Sequence, residues 1–508
     1  MKRFDSALAL LLFIASFVLY VRTLAPSLLF DDSAEFQTIA YTLGIGHPTG
    51  YPVYVLLAKL FTVLPVGDIA YRVNLFSAFC AAVSVGTVFL ILRKLGARYT
   101  AAVYGALVLA LLPLLWKYAS IAEVYAPAAA CLALILLFVL QWKETSHPRW
   151  LFLAGLFGGL SLGIHTTVAL SGLAILLYLA LSTHQWADWR QASLGALAGV
   201  GIFLASFLFL DTINSSAGYY NAVVRPSLSV WGMTPTDFDS PLERLAFLYF
   251  PPQFKGQFFS VSSDEVKTRL TDFATESSWN LWLALLGFGS MFIPRKTSLA
   301  RWREAALLIV AFLTFLTFAV TYNVFDFNSY YIPAMVVLVN FVGLGVNAIL
   351  EVIALIPKIP QLVLSGIGIL IVIAGIYPSL DTLTSQWEER TPHGLEDWES
   401  YSFQFPDERR LEAESVVNRL EENAIVFTDW EHVYDFYYVA HVLQGHIDTD
   451  FHETFPQDGV TQFADSAVAY IEANIDTRPI YFSERPSQLA SRYKITRAGS
   501  GLFRIERK

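Results

Sequence analysis

Apolar runs of about 17 residues or more recur along the first three quarters of this chain, and each is long enough to cross roughly 30 Å of hydrocarbon as a helix. The 508 residues are 55% hydrophobic and 15% charged, more apolar surface than one water-soluble core can bury. Lipid is therefore part of the solvent. Eleven spans are expected, at about 6–24, 70–92, 100–118, 124–142, 150–164, 166–182, 192–210, 279–294, 304–321, 331–350 and 360–379. Met1-Lys2-Arg3 and the apolar stretch Ala7 to Leu24 imitate a signal peptide, but the stretch is too long and Pro26 follows the small-residue cleavage candidate Ala25. It reads as an uncleaved first span.

Orientation follows from short-loop cations, because cytoplasmic loops retain Lys and Arg. Lys2/Arg3, Arg93/Lys94/Arg98, Lys143/Arg149, Arg190, Arg295/Lys296/Arg301/Arg303 and Lys358 all fall on one side of this threading. That side, with the N-terminus, is expected to be cytoplasmic, and the short loops suggest a bacterial inner membrane. The outer side receives loop 25–69, the turns near Lys117–Glu123 and His165, loop 212–278, the turn Tyr322–Tyr330 and the tail. From about Asp381 the sequence turns charged and aromatic without a further span. The expected architecture is thus a polytopic α-helical membrane domain over 1–380 and a small extracytoplasmic α/β domain over 381–508. In that tail, strands are expected at 424–428, 479–482 and 502–506 and helices at 432–443 and 463–474.

Several function classes lose support. A net charge of -9 leaves no basic footprint for nucleic acid. Cys80 and Cys131 both sit inside apolar runs and read as small buried residues rather than a disulfide framework. There is no Walker loop, dinucleotide fingerprint, zincin motif or Cys-x-x-Cys. The middles of the spans lack ionisable residues, which weighs against an ion-coupled transporter.

The polar residues that remain gather on the outer side. Phe30-Asp31-Asp32-Ser33-Ala34-Glu35-Phe36 places three carboxylates within five positions. On a helix starting at Ser33 they lie about one turn apart and can converge on one group, as a general base or around a divalent cation. Asp32-Ser33-Ala34-Glu35 equally fits a capping box that satisfies free N–H groups at a helix start. The turn His47-Pro48-Thr49-Gly50-Tyr51-Pro52 follows, and on residue type alone it reads as a reversal between interfacial helices with His47 exposed. Lys117, Glu123, Tyr125 and His165 are further candidates, each with an alternative as a headgroup-level anchor. Glu123 and His165 stand out because ionisable groups at a bundle edge are costly unless paired or wet. Asp211, Arg225 and Asp326 are candidates of the same kind.

The stretch from Tyr20 to Leu95 resembles a known family. It does so through Thr23-Leu24-Ala25-Pro26-Ser27, Asp32-Ser33-Ala34-Glu35-Phe36, His47-Pro48-Thr49-Gly50-Tyr51-Pro52 and Arg72-Val73-Asn74-Leu75. The family is the domain of unknown function numbered 2723, which has a vertebrate O-mannosyltransferase relative and belongs to the GT-C glycosyltransferase superfamily. Ala122-Glu123-Val124-Tyr125, Gly163 with His165-Thr166-Thr167, and Tyr322-Asn323 through Pro333 extend the similarity. Ala34 and Thr49 depart from the residues usual there, Gly and Pro.

The resemblance implies a polyprenyl-phosphate sugar donor, a hydroxyl acceptor on a protein or glycoconjugate, and an inverting single displacement at the non-cytoplasmic face. It further implies Asp32 as the base, Glu35 orienting it and Asp31 as the competing assignment. His47, Tyr51, Glu123, Tyr125 and Asp326 are expected to line the substrate site. Lys117, His165, Arg225 and Arg72 are the groups expected to offset charge on the departing phosphate. The expected mechanism is metal-free, with a divalent cation as the alternative. Against this stand a flippase or transporter of lipid-linked intermediates and a non-catalytic envelope scaffold. The tail receives no function from the resemblance.

Overall fold

A computed structural model describes residues 3–277, 280–293, 301–356, 359–389, 406–457, 459–499 and 501–508. Lys2, Arg295, Lys296 and Lys358 lie outside the described residues. The chain enters with α1 (Arg3–Arg22), and the loop that follows is itself helical, with α2 (Asp31–Thr42) and α3 (Pro52–Thr62) before α4 (Ile69–Lys94). Next come α5 (Tyr99–Ala110), α6 (Pro113–Ala119), α7 (Tyr125–Thr145), α8 (Arg149–Leu160), α9 (Ser171–Ser182) and α10 (Trp186–Ile213). The long loop after α10 carries α11 (Pro241–Tyr249) and α12 (Ser263–Ser277), followed by α13 (Asn280–Ser290), α14 (Trp302–Thr321), α15 (Tyr331–Ile353) and α16 (Gln361–Glu389).

Each expected span falls on helical chain, but not each is a full crossing. Among the described residues, six helices are long and apolar enough, namely α1, α4, α7, α10, α14 and α15 with the turn before it, Phe327–Ile353. Expected span 100–118 is broken: α5 and α6 meet at 61°, where Pro113 begins a new helix because its ring and missing N–H cannot continue the old one. Counting the bent pair gives up to seven. Expected spans 150–164, 166–182, 279–294 and 360–379 correspond to shorter apolar helices. The compositional boundary near Asp381 falls within α16, which runs unbroken to Glu389.

Side-chain contacts separate the two ends of the bundle. At one, Arg93 reaches Asp5 at 3.2 Å, Lys94 pairs with Glu144, and the Arg301 guanidinium lies against Gly96. Arg93, Lys94 and Arg301 thus meet where α1, α4, α7 and α14 share an end. At the other, Trp116 Nε1–H donates to Thr23 Oγ1 (2.6 Å) and Asn74 Nδ2 donates to the Ala25 carbonyl (3.0 Å). Within the bundle, small residues let backbones touch. A Cβ on Gly195 of α10 would sit 2.0 Å from the Phe152 carbonyl oxygen of α8, and one on Gly287 of α13 would sit 1.9 Å from that of Phe341 in α15. Close backbone approach of this kind drives association where lipid removes the hydrophobic contrast.

The tail adds α17 (Glu408–Val417), β1 (Ile425–Thr428), α18 (Trp430–Tyr437), β2 (Asp450–Glu453), α19 (Asp465–Asn474), β3 (Ile480–Phe482), β4 (Tyr493–Arg497) and β5 (Phe503–Arg507). The sheet order is β2-β1-β3-β5-β4, parallel among the first three and antiparallel after them. The strands expected at 424–428, 479–482 and 502–506 are present, while β2 and β4 were not expected. Side-chain alternation divides the sheet between two cores. Ile425, Phe427, Ile480 and Phe482 pack with Ala467 and Ile471 of α19. Val426, Phe451 and Tyr481 join α18 in the core that continues into the membrane bundle.

Candidate active site

The loop between α1 and α4 is shaped by its helix boundaries. α2 starts at Asp31, two residues before Ser33, with Phe30 as an extended N-cap and no side-chain cap. The capping-box reading of Asp32 and Glu35 is therefore not realised. Both acidic residues sit in the first turn or just beyond it, where the helix dipole favours negative charge. After α2 the chain reverses tightly: the Gly46 N–H donates to the Gly50 carbonyl (3.1 Å), and Pro52 opens α3. Gly50 takes a positive φ of 82°, and a Cβ there would meet Leu248 at 2.6 Å.

This reversal does not leave His47 exposed, as its residue type had suggested. It folds the imidazole over α2 with a side-chain exposure of 18%. Glu35 is wholly buried and fully engaged. Its Oε1 accepts from the His47 backbone N–H (2.8 Å) and the Tyr434 hydroxyl (3.0 Å), and its Oε2 pairs with His47 Nδ1. His47 Nε2 then lies 3.1 Å from the Tyr51 hydroxyl and 3.9 Å from Asp32 Oδ2. Asp32 differs from Glu35 in being reachable, with 43% of its side chain exposed.

Electrostatics divides the roles. Burial disfavours charge on His47, but Glu35 and Asp32 outweigh it and push the imidazole up to about 10, so it is a cation at neutral pH. Burial raises the Asp32 carboxyl to about 6, opposed by His47 and reinforced by Glu35 and Asp326. Burial, with Asp32 and Asp326 nearby, holds Glu123 well above the usual carboxylate range. His165 is pushed down to about 3 by burial and then by the His47 charge, so its ring is neutral and can serve as a hydrogen-bonding group but not as a cation.

An aromatic wall connects these groups. Tyr51 stacks on His165 at 6.4 Å, and Tyr125 and Tyr330 lie 5.3 and 5.7 Å from the same imidazole. The Tyr125 hydroxyl donates to Asp326 Oδ2 at 2.6 Å. Tyr125 packs on Tyr118 at 4.7 Å, and Lys117 Nζ sits 4.7 Å over that ring. Of the expected residues, Asp32, Glu35, His47, Tyr51, Glu123, Tyr125, His165 and Asp326 share one neighbourhood, with Lys117 at its aromatic edge.

Four expected residues go elsewhere. Asp31 adopts φ 53°, and after burial and Asp32 its main electrostatic neighbours are Glu431, Arg409 and Asp429 of the tail. Arg72 donates to the carbonyls of Val66, Thr62 and Gly67 at 2.8, 2.8 and 3.0 Å, so its guanidinium fastens the turn after α3. Arg225 is exposed and neighbours Arg244, Asp211 and Asp239, while Asp211 is held by Arg244 at 2.7 and 2.8 Å. Sequence reasoning missed Tyr434, Trp430 and Tyr330. Tyr434 bonds Glu35 across 399 positions, a pairing that no local pattern signals.

Asp32, Glu35 and His47 each offer a ligand atom within 4.8 Å of the others. Within that group Glu35 and His47 Nδ1 pair with one another.

Residues 32–188 match the profile of the protein O-mannosyl-transferase TMEM260 N-terminal domain family. The mouse protein O-mannosyl-transferase TMEM260 is 31% identical over 146 residues, 28% of this chain and 21% of that protein. The Dictyostelium discoideum counterpart is 25% identical over 128 residues, 25% of this chain and 16% of that protein. The chain thus spans about a fifth of the length of the curated relatives it matches. Its fold is similar to that of ArnT from Cupriavidus metallidurans, in a crystal structure bound to undecaprenyl phosphate. The TM-score is 0.57 at 14% identity, covering 98% of this chain and 97% of that one. The Archaeoglobus fulgidus oligosaccharyltransferase aligns with a TM-score of 0.51 at 13% identity, over 93% of this chain and 69% of that one. The segment holding Asp32, His47, Glu123 and His165 is therefore related to the TMEM260 O-mannosyltransferase N-terminal domain, as the first-loop resemblance implied, and the chain around it has a GT-C-like fold.

Proposed function

We propose that this protein is an integral-membrane glycosyltransferase. It transfers a sugar from a polyprenyl-phosphate donor to a hydroxyl of a protein or glycoconjugate, at the extracytoplasmic face of a bacterial inner membrane. The observation that carries the reading is the reachable Asp32 beside a buried Glu35–His47 ion pair, within the segment related to named O-mannosyltransferases. The lipid carrier is supported by the undecaprenyl phosphate in the ArnT structure of similar fold. The sidedness is supported by Arg93, Lys94 and Arg301 meeting at the other end of the bundle.

In the proposed displacement the acceptor oxygen attacks the anomeric carbon and its proton passes to Asp32. The bond from that carbon to the phosphate oxygen breaks, and its electron pair leaves with the lipid phosphate. Asp32 is suited to the proton because a base near the working pH combines availability with driving force. Glu35 cannot take that proton, since it is buried and already accepts three hydrogen bonds. It holds His47, whose positive charge keeps Asp32 ionised. Lys117, at the aromatic edge of the site, is the cation this reading assigns to the departing phosphate.

The reaction is metal-free in this reading, because two of the three potential cation ligands neutralise one another. Protein reconstituted in vesicles with a labelled polyprenyl-phosphate sugar is expected to form a glycosidic bond on an outer-face acceptor, identified by mass spectrometry. Labelled lipid crossing the bilayer with its sugar bond unchanged would instead establish a flippase.

A further inference from the structure

Glu35, the buried carboxylate that holds His47, receives one of its three hydrogen bonds from outside the related segment. α18 begins with Asp429 as N-cap, accepting from the His432 N–H at 3.0 Å. Trp430 and Tyr434, four apart, therefore lie on one helix face, and that face is turned to α2. Thr38 Oγ1 donates to the Tyr434 carbonyl at 3.2 Å, and the Tyr434 hydroxyl donates to Glu35 Oε1 at 3.0 Å. Trp430 packs 6.2 Å from His47 and 5.3 Å from Tyr434. α18 then runs into a wide π-helical turn, Tyr438–Gln444, whose Tyr438 hydroxyl accepts from the Ala70 N–H at 3.0 Å.

We propose that Tyr434 and Trp430 are positioning residues of the catalytic centre, so that the tail completes the site rather than merely decorating the membrane bundle. A buried carboxylate is costly unless its lone pairs are met. With its donors in place, Glu35 spreads its charge over His47 and Tyr434. Without the Tyr434 hydroxyl it concentrates that charge on the imidazolium and draws His47 away from Asp32. Trp430 acts through packing, because its ring lies against both the His47 imidazole and Tyr434 and so limits where the imidazole can sit. The inference rests on the proposed glycosyl transfer for the word catalytic, but the Tyr434–Glu35–His47 linkage stands apart from it.

The test uses the full chain in lipid nanodiscs and two conservative variants on the same tail segment. Tyr434→Phe keeps the ring and removes the donor to Glu35; Tyr438→Phe removes a hydrogen bond that docks the tail but touches no carboxylate. Tyr434→Phe is expected to lower kcat about tenfold, the scale of one hydrogen bond to a charged group, with KM for the donor lipid unchanged. It is also expected to raise the titration midpoint of His47, followed by 15N-histidine NMR with His47→Gln as the assignment control. Tyr438→Phe is expected to change neither, and Trp430→Ala, which removes the ring packed on His47, to lower kcat as Tyr434→Phe does. If Tyr434→Phe and Tyr438→Phe behave alike in both measurements, the tail only docks and the proposal fails. If the wild type transfers no sugar, the proposed function fails, and the His47 titration alone then decides the positioning claim.

Discussion

Replacing His47 by Gln removes the positive charge nearest Asp32 while leaving an amide that can still donate to Glu35. At the 3.9 Å separation of His47 Nε2 and Asp32 Oδ2, two unit charges attract by about 4 kcal/mol at an effective dielectric of about 20, and by about 1 kcal/mol in bulk water. Asp32 is 43% exposed, so water screens much of this and the lower part of the range applies. About 1.4 kcal/mol corresponds to one pH unit. The sign is set by which form His47 favours. The imidazolium stabilises ionised Asp32, so its removal raises the carboxyl from about 6 to about 7. A base works only when ionised, so the acidic limb of kcat/KM moves to higher pH by about one unit, and the loss relative to wild type is greatest below pH 6. The assay is initial-rate sugar transfer in nanodiscs from pH 5 to 8. A limb that stays in place or moves down would refute the electrostatic role given to His47.

Other perturbations follow from the same geometry. Asp31→Asn is expected to leave turnover near wild type, because Asp31 faces the tail and Asn tolerates its positive φ; abolished transfer with normal folding would make Asp31 the base instead. Gly195→Leu is expected to destabilise the protein by about 3 kcal/mol or more, because even a Cβ would sit 2.0 Å from the Phe152 carbonyl; an unchanged melting temperature in detergent would contradict the close α8–α10 contact. Prolonged chelation is expected to leave the transfer rate intact, and a loss restored by one divalent ion would favour a cation bound between Asp32 and His47.

The first outer loop was legible in the sequence because its chemistry is local. Asp32, Glu35 and His47 lie within 16 positions, and a helix followed by a tight turn suffices to bring them together. Their roles were less legible. Capping and catalysis predict the same residues at the same spacing, and only the start of α2 at Asp31 separates them. Pro113 was visible inside an apolar run, yet run length outweighed it, so the bend between α5 and α6 went unread. Arg72 looked like a phosphate ligand by residue type, but its guanidinium is committed to three carbonyls of a neighbouring turn. Strands β2 and β4 are short and weakly patterned; they exist because β1 and β5 offer them edges. Tyr434 was expected to lie on a helix, but nothing in its neighbourhood discloses that the hydroxyl ends on Glu35. That contact is created by the way the tail's sheet presents α18 to α2, a tertiary arrangement without a local signature.

The most direct measurement is sugar transfer by Asp32→Asn, an isosteric change that removes the proton acceptor and keeps the shape of the loop. With the protein folded, inserted and still binding donor lipid, turnover is expected to fall by about 10² to 10⁴, the range contributed by a positioned general base. Turnover within a few-fold of wild type would contradict the account at its centre.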